Sequence, residues 1–182
     1  MSVKEIERVV IKFAGDSGDG MQLAGSLFTN SVVNTGNELA TFPDFPAEIR
    51  APQGTIDGVS GFQIHFASSG VHSPGDSPDV LIAMNPAALK ANLDNLKDLS
   101  TVLLDIDLFS KKNIDKAGFE INPLEDDSLS RFNVIQAPLT SLTRKSLEGL
   151  DLPRKSIDRC KNMLILGIVY WLYNKPLERT IN

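Results

Sequence analysis

Short apolar runs alternate with helical patterns along this chain, and that alternation limits the fold more than any other feature. Residues 8–14 are rich in β-branched side chains and lead straight into the glycine-rich segment 15–20. Apolar residues then recur at helical spacing over 21–33, and Gly36 offers a C-terminal stop. The same succession returns at 79–85, where Pro86 can open a helix at its first turn.

Four more segments read as strands, and the order of strands and helices predicts the fold class. These strands are 38–42, 59–67, 101–107 and 133–137, and helices are expected after Leu139 and over 154–173. The alternation favours a single-domain α/β fold, Rossmann-like and three-layered, with a mainly parallel or mixed sheet. Three prolines within 43–52 exclude regular structure there and predict a stiff, extended loop.

The last predicted helix is apolar on every side in its second half, so a lone domain could hardly cover it. We therefore predict that it packs against a further partner. The apolar run 163–173 is too short to cross a membrane, which takes roughly 20 helical residues. It is interpreted as a buried helix.

Composition excludes several classes of function. The 182 residues carry a net charge of −5 and no basic cluster, which argues against nucleic acid as a partner. Cys160 is the one cysteine, so an internal disulfide is impossible and the four thiolates of an iron–sulfur cluster are lacking. The charged N-terminus does not resemble a signal peptide, so we expect a cytoplasmic protein with no membrane partner.

The glycine-rich turn is the first candidate binding element. It consists of Gly15, Asp16, Ser17, Gly18, Asp19 and Gly20. Because it follows a strand and opens a helix, its N–H groups could bind an anion at the positive end of the helix dipole. The glycine spacing departs from the dinucleotide fingerprint, and its two aspartates would oppose a pyrophosphate. A purely structural tight turn is the alternative.

The proline-rich loop is the second candidate, because it carries Glu48 and Arg50 two residues apart. An arginine on a pre-organised loop can bind phosphate or carboxylate through two parallel hydrogen bonds. An ordinary surface ion pair between these two side chains is the alternative. We expect this loop and the glycine turn at the same edge of the sheet, with Glu48 orienting the guanidinium.

Neither metal binding nor acid–base catalysis is predicted. His65 and His72 have no ligand spacing to each other or to Cys160, and His65 reads as a hydrogen-bonded strand residue. Asp105 and Asp107 read as residues at the end of a strand, not as a catalytic pair.

Four segments together resemble the gamma domain of 2-oxoacid:ferredoxin oxidoreductases, namely VVIKFAGDSGDGMQLAG, FPDFPAEIRAPQGT, SPGDSPDVLIAMNPAAL and TVLLDID. The likeness runs over about 8–173 and is strongest to the N-terminal region of fused alpha subunits of the 2-oxoglutarate type. It implies that 1–182 form a gamma-type domain, the N-terminal part of a longer subunit. The family turn falls on Gly15, Gly18 and Gly20, and the family loop on Glu48 and Arg50.

The resemblance also implies a division of labour. Such complexes decarboxylate a 2-oxoacid on thiamine diphosphate, pass electrons through iron–sulfur clusters to ferredoxin, and transfer the acyl group to coenzyme A. This domain would bind no cofactor alone, although it could contact coenzyme A. Thiamine diphosphate, magnesium and the clusters would lie on other parts of the complex. Its partners would be the thiamine-binding domains and, through them, ferredoxin.

The residues after Arg50 bear on which 2-oxoacid is the substrate. Simpler gamma subunits have Gly-Gly where this chain has Ala51-Pro52, which favours a 2-oxoglutarate enzyme over a pyruvate enzyme.

Two other classes of function stay open: a stand-alone regulatory domain that binds a nucleotide or phosphate, and a structural assembly domain.

Overall fold

A mixed β-sheet of six strands lies at the centre of the computed structural model, which describes residues 6–48, 50–177 and 180. The strands are β1 Arg8–Asp16, β2 Glu38–Asp44, β3 Val59–Ala67, β4 Val80–Ala83, β5 Thr101–Asp105 and β6 Asn133–Ala137. The helices are α1 Met21–Asn34, α2 Pro86–Asn92, α3 Lys111–Lys116, α4 Leu139–Ser146, α5 Arg154–Arg159 and α6 Lys161–Leu172.

The strand order is β2-β3-β1-β4-β5-β6, and β3 runs against the other five strands. Parallel pairing joins β1 to β4, β4 to β5 and β5 to β6, whereas β3 pairs antiparallel with β1 and β2. The predicted α/β class with a mixed sheet is therefore confirmed.

Helices cover both faces of the sheet, as the alternation of side chains along the strands requires. Phe13 of β1 packs on the face of α1 and α6, against Phe28 and Tyr170, and these last two rings meet edge-on at 5.9 Å. The adjacent Ala14 lies on the opposite face, with Leu89 of α2. Burial of these two apolar clusters provides the main stabilisation of the three layers.

The chain reverses its winding direction between β1 and β4. The connection after β1 leads to α1 on one face, and the connection after β4 leads to α2 on the other. Such a topological switch point leaves a crevice at the carboxyl ends of the two strands, where α/β proteins usually bind ligands.

Several predicted boundaries were wrong. The strand 8–14 continues to Asp16, and the strand 101–107 ends at Asp105, where a turn of 3₁₀ helix begins. Pro43, assigned to the irregular loop, belongs to β2, which tolerates a proline because β2 is the edge of the sheet.

The helix predicted over 154–173 is in fact two helices, α5 and α6, separated at Cys160. The Cys160 N–H bonds three residues back, to the Ile157 carbonyl, so the last turn of α5 is tightened. In the described part of the chain, no helix is long and apolar enough to span a membrane.

Candidate functional site at the sheet edge

A hydrogen-bonded cluster joins the carboxyl ends of β1 and β4 at the switch point. Asp16 is the last residue of β1, and its Oδ1 accepts a hydrogen bond of 3.0 Å from Asn85 Nδ2, just after β4. Asn85 Oδ1 accepts from the Ala88 N–H at 2.8 Å and so caps α2. Asn85 therefore connects the end of β1 with the start of α2.

The proline-rich loop reaches the same cluster. The Gly54 N–H donates to both carboxylate oxygens of Asp16, at 3.2 and 3.0 Å. Gly54 has a φ of +80°, a conformation that other residues rarely adopt. Within the loop 43–52 itself, Pro46 and Glu48 line a small cavity together with Ser17 and Gly18 of the turn. The prediction that turn and loop share one edge of the sheet is thus confirmed.

The glycine turn is closed by its own aspartates. Asp19 Oδ2 accepts from the Asp16 N–H at 2.9 Å, and the Asp19 N–H donates to the Asp16 carbonyl at 2.9 Å. Gly15 must be small here, because a Cβ would lie 2.7 Å from that Asp19 oxygen. Burial raises the pKa of Asp19 above its ordinary value, and the charge of Lys161 acts in the opposite direction.

The other residues of the turn occupy different environments. Gly20 has a φ of +76°, and a Cβ there would overlap the side chain of Asn162 in α6. Gly18 has open space above its Cα atom, and with Ser17 it lines a small cavity of about 200 Å³ beside Glu48. Two of the turn's N–H groups are thus satisfied internally, and anion binding by the turn stays a prediction.

A buried ion pair holds the ends of β5, α4 and α6 together. Lys161 Nζ lies 2.9 Å from Asp105 Oδ2, and the exposed fractions of the two side chains are 7% and 0%. Thr140 donates to the same carboxylate from its hydroxyl at 2.6 Å and from its N–H at 3.2 Å. Asp107 accepts from the N–H and hydroxyl of Ser141 at 2.6 and 3.0 Å. Both aspartates therefore fix the start of α4.

A cavity of about 360 Å³ opens over this cluster, within the range of small-molecule sites. Most of the residues that line it are polar; the lining consists of Asp16, Asp19, Gln53, Gly54, Asn85, Leu108, Asn113, Lys116, Thr140, Arg144, Asp158 and Lys161. Arg144 binds Asp158 through two hydrogen bonds, Nε to Oδ1 at 2.7 Å and Nη2 to Oδ2 at 3.0 Å. This pairing holds the pKa of Asp158 below its usual range.

The structure does not support the expected pairing of Glu48 with Arg50. Arg50 is exposed, and within the described part of the chain no ion pair joins it to Glu48. The backbone of Glu48 is instead bound to Asp57 and Ala51, while Glu48 lines the small cavity next to Asp16. Both residues are exposed, and Glu48 lines the small cavity whereas Arg50 does not.

Sequence reasoning missed most of the larger cavity. Asn85 stands in an Asn-Pro pair after a buried strand, which is a usable signal for a polar side chain at a sheet edge. Lys161 is a charge at the start of an apolar helix, which signals a buried partner. Nothing in the sequence indicates that Arg144 and Asp158 would meet, because their contact depends on the packing of two short helices.

His65 agrees with its prediction at one ring nitrogen. Nδ1 lies 2.7 Å from the Ser73 carbonyl oxygen, whereas Nε2 is buried without a hydrogen-bond partner among the described residues. Across the described ranges, no group of three or more His, Cys, Asp and Glu side chains could hold a metal ion. A single cysteine cannot supply the ligands of an iron–sulfur cluster, so the residues of this chain do not fit that group.

Known proteins similar to this chain are longer oxidoreductase subunits. The 2-oxoglutarate oxidoreductase subunit KorA of Mycobacterium tuberculosis is 49% identical over 177 residues, which cover 97% of this chain and 27% of that subunit. The ketoisovalerate oxidoreductase subunit VorA of Methanothermobacter thermautotrophicus is 28% identical over 102 residues, or 56% of this chain and 20% of that subunit.

Solved structures give the same picture. A 2-oxoglutarate:ferredoxin oxidoreductase from Magnetococcus marinus, with 2-oxoglutarate, coenzyme A and succinyl-CoA bound, matches with a TM-score of 0.67 and 26% identity, over 91% of this chain and 24% of that one. A keto/oxoacid ferredoxin oxidoreductase gamma subunit from Geobacter sulfurreducens shares the fold, with a TM-score of 0.63 and 17% identity, over 91% of this chain and 75% of that one.

The present chain spans about a quarter of the length of the Mycobacterium subunit and of the Magnetococcus chain. Residues 10–181 match the model of the family described as pyruvate ferredoxin/flavodoxin oxidoreductase, and the chain therefore belongs to that family.

Proposed function

We propose that this chain is the gamma-type domain of a cytoplasmic 2-oxoacid:ferredoxin oxidoreductase whose substrate is 2-oxoglutarate. The observation that carries the proposal is the 49% identity to a 2-oxoglutarate oxidoreductase subunit over 97% of the chain. In the assembled enzyme, 1–182 form one domain at the N-terminal end of a longer subunit, next to the thiamine-binding domains.

The reaction oxidatively decarboxylates the 2-oxoacid, releases carbon dioxide, reduces two ferredoxin molecules by one electron each and joins the acyl group to coenzyme A. Thiamine diphosphate, bound by other domains, supplies the carbanion chemistry. Because Cys160 is the one cysteine of this chain, we assign the iron–sulfur clusters to other parts of the complex, and the magnesium ion with the thiamine diphosphate as well. Its contribution is to bind and orient, by forming one wall of the cleft that coenzyme A enters.

The carboxyl edge of the sheet is the surface that we assign to coenzyme A. Ser17 and Gly18 line a cavity there, and Arg50 is an exposed cation on the rigid loop beside it. The longer Magnetococcus relative has coenzyme A bound and is 26% identical over the matched residues, which supports a coenzyme A site in the enzyme that contains this chain. Glu48 lines the cavity, and it makes no ion pair with Arg50 among the described residues.

The proposed activity is tested on the purified oxidoreductase that contains this chain. We expect ferredoxin reduction that requires both 2-oxoglutarate and coenzyme A, with a lower kcat/KM for pyruvate. The 182-residue chain alone should show no turnover, because it lacks cluster ligands. Preference for pyruvate, or turnover by the chain alone, would contradict the proposal.

Arg50→Ala tests the role of the loop. In the assembled enzyme it should raise KM for coenzyme A by the equivalent of about 1–3 kcal/mol, the usual scale for a hydrogen bond to a charged group. Arg8→Ala is the matched control, since Arg8 is exposed at the opposite end of β1. Thermal melting of both variants should match the wild type. Unchanged coenzyme A kinetics in Arg50→Ala would refute the assignment.

A further inference from the structure

Lys161 carries donor groups that its own fold does not use. Its ammonium group has three N–H donors, and within the described residues its acceptor is Asp105 Oδ2 at 2.9 Å. The side chain is 7% exposed, so bulk water has little access to the remaining donors. Buried donors without acceptors are costly, and the 360 Å³ cavity is the open space that Lys161 lines.

The acidic side chains around the cavity are already engaged. Asp16 accepts from Gly54 and Asn85, Asp158 accepts from Arg144, and Asp19 accepts from the Asp16 N–H. The guanidinium of Arg144 offsets the charge of Asp158, and the ammonium group of Lys161 offsets the charge of Asp105. Burial also favours the neutral form of Asp19, because it raises the pKa of that carboxyl group.

Two cationic side chains of the lining, Arg144 and Lys116, by contrast use only some of their N–H donors within the described residues. A guanidinium has five N–H donors, and Arg144 uses two of them on Asp158. Lys116, also in the lining, spends one donor on the Gln53 carbonyl at 3.2 Å. Lys161 and Arg144 thus line the same cavity with N–H donors to spare, and ammonium and guanidinium groups are suited to anionic oxygen atoms.

We propose that this cavity binds an anionic oxygen group, a phosphate or carboxylate of a small-molecule ligand, with Lys161 at its floor and Arg144 at its rim. Asp105 acts as a positioning residue because it accepts from the Lys161 ammonium group, and Thr140 acts through Asp105, to which it donates two hydrogen bonds. The site borders the loop that carries Arg50, but Arg50 itself does not line it. The site is tested on the chain alone, so its failure leaves the proposed function standing.

The experiment is isothermal titration calorimetry of the 182-residue chain with inorganic phosphate, coenzyme A and succinate in separate titrations. We expect saturable binding of at least one of them. Arg144→Gln should weaken that binding by about tenfold, the equivalent of losing one charge-assisted contact. Lys145→Gln is the matched control, because Lys145 is the exposed neighbour of Arg144 on α4 and does not line the cavity.

Removal of Lys161 alone would leave Asp105 buried without its partner, so the second variant is Lys161→Met with Asp105→Asn. It removes both charges together, and a thermal melt checks that it folds. Loss of binding in this variant supports the site. Binding of phosphate but not succinate assigns a phosphate ligand, and the reverse assigns a carboxylate. Absence of binding by all three probes, or wild-type affinity in both variants, overturns the proposal.

Discussion

Asp19 closes the glycine turn and occupies an N–H group that could otherwise bind an anion. Its carboxylate accepts the Asp16 N–H within the segment that the sequence suggested as an anion site. Because a protonated carboxyl group retains a carbonyl oxygen, the hydrogen bond survives protonation. The cost of the charged form is desolvation, which raises the pKa of Asp19.

The raised pKa of Asp19 gives a pH dependence of definite sign. Above its ordinary pKa of 3.8 the unfolded chain releases the proton first, so the native state binds more protons. The contribution of Asp19 to the free energy of unfolding is therefore greatest at low pH, and it falls as pH rises from about 4 through the native pKa.

Asp19→Asn should remove that trend while it keeps an acceptor for the Asp16 N–H. Between pH 4 and pH 7 the free energy of unfolding of this variant should increase relative to that of the wild type, which means that the variant becomes comparatively more stable. Urea denaturation at each pH measures the difference. Asp57→Asn is the control, since Asp57 is exposed and its carboxylate lies outside the turn. A difference between variant and wild type that stays constant across this range would refute the argument.

At the scale of elements, two helical glycines have opposite surroundings. Gly25 in α1 faces the ring of Phe62 in β3, and a Cβ there would overlap the ring. Phe62 is 6% exposed and packed in the core, so it has little room to move. Gly167 in α6 has no atom within 4 Å of a Cβ position.

The same substitution should therefore have opposite effects in the two helices. Gly167→Ala should stabilise the chain by about 0.5–1 kcal/mol, because alanine reduces the backbone entropy lost on folding. Gly25→Ala should be destabilised by about 1–3 kcal/mol from overpacking, partly offset by the same gain. Urea denaturation of both variants measures the contrast, and equal effects of one sign would contradict it.

The elements that could be predicted are those whose signal is local. The apolar runs of β1, β4 and β5 identified buried strands, and Pro86 marked the start of α2. Neither proline nor glycine, the usual sequence signals of a helix end, lies at the break at Cys160, so the sequence predicts an uninterrupted helix. Lys161 and Asp105 are 56 positions apart in the sequence. Their contact follows from tertiary packing, which the helical periodicity of a sequence does not predict.

The candidate site was predictable in part for the same reason. A turn after β1 and a stiff loop after β2 both point to one edge of a sheet, so their proximity followed from topology. The partners of Asp16, by contrast, are Gly54 and Asn85, at 38 and 69 residues distance. No periodic pattern selects these residues, because side chains at a sheet edge come from separate connections.

For the whole molecule, α6 matters because both of its sides are apolar. Its inner side, including Ile165 and Val169, is buried in the core with α1. Its other side forms the outer stripe, which we define as Met163, Leu164, Gly167, Ile168, Trp171 and Leu172. Leu164 and Ile168 are half-buried at its border with the core. Trp171 is 67% exposed and Leu172 is 47% exposed. Residues of the stripe recur every four positions, in the rows 163, 167, 171 and 164, 168, 172, and this spacing matches the ridges by which helices pack on one another.

The outer stripe should drive association when nothing else covers it. Exposed apolar patches larger than a few hundred Å² generally mark interaction sites, and in the assembled oxidoreductase we expect the other domains to cover this stripe. The isolated chain should accordingly self-associate at high concentration, and sedimentation velocity measures the extent.

Trp171→Glu should weaken that self-association. Buried tryptophans are frequent hot spots worth about 2 kcal/mol or more, so the association constant should fall by roughly 30-fold or more. Ile121→Glu is the control, since Ile121 is 61% exposed but lies in the connection after α3, which packs on the opposite face of the sheet. A wild-type chain that stays monomeric at high concentration would show that the stripe needs no partner. Equal association in Trp171→Glu and wild type would place the contact elsewhere on the molecule.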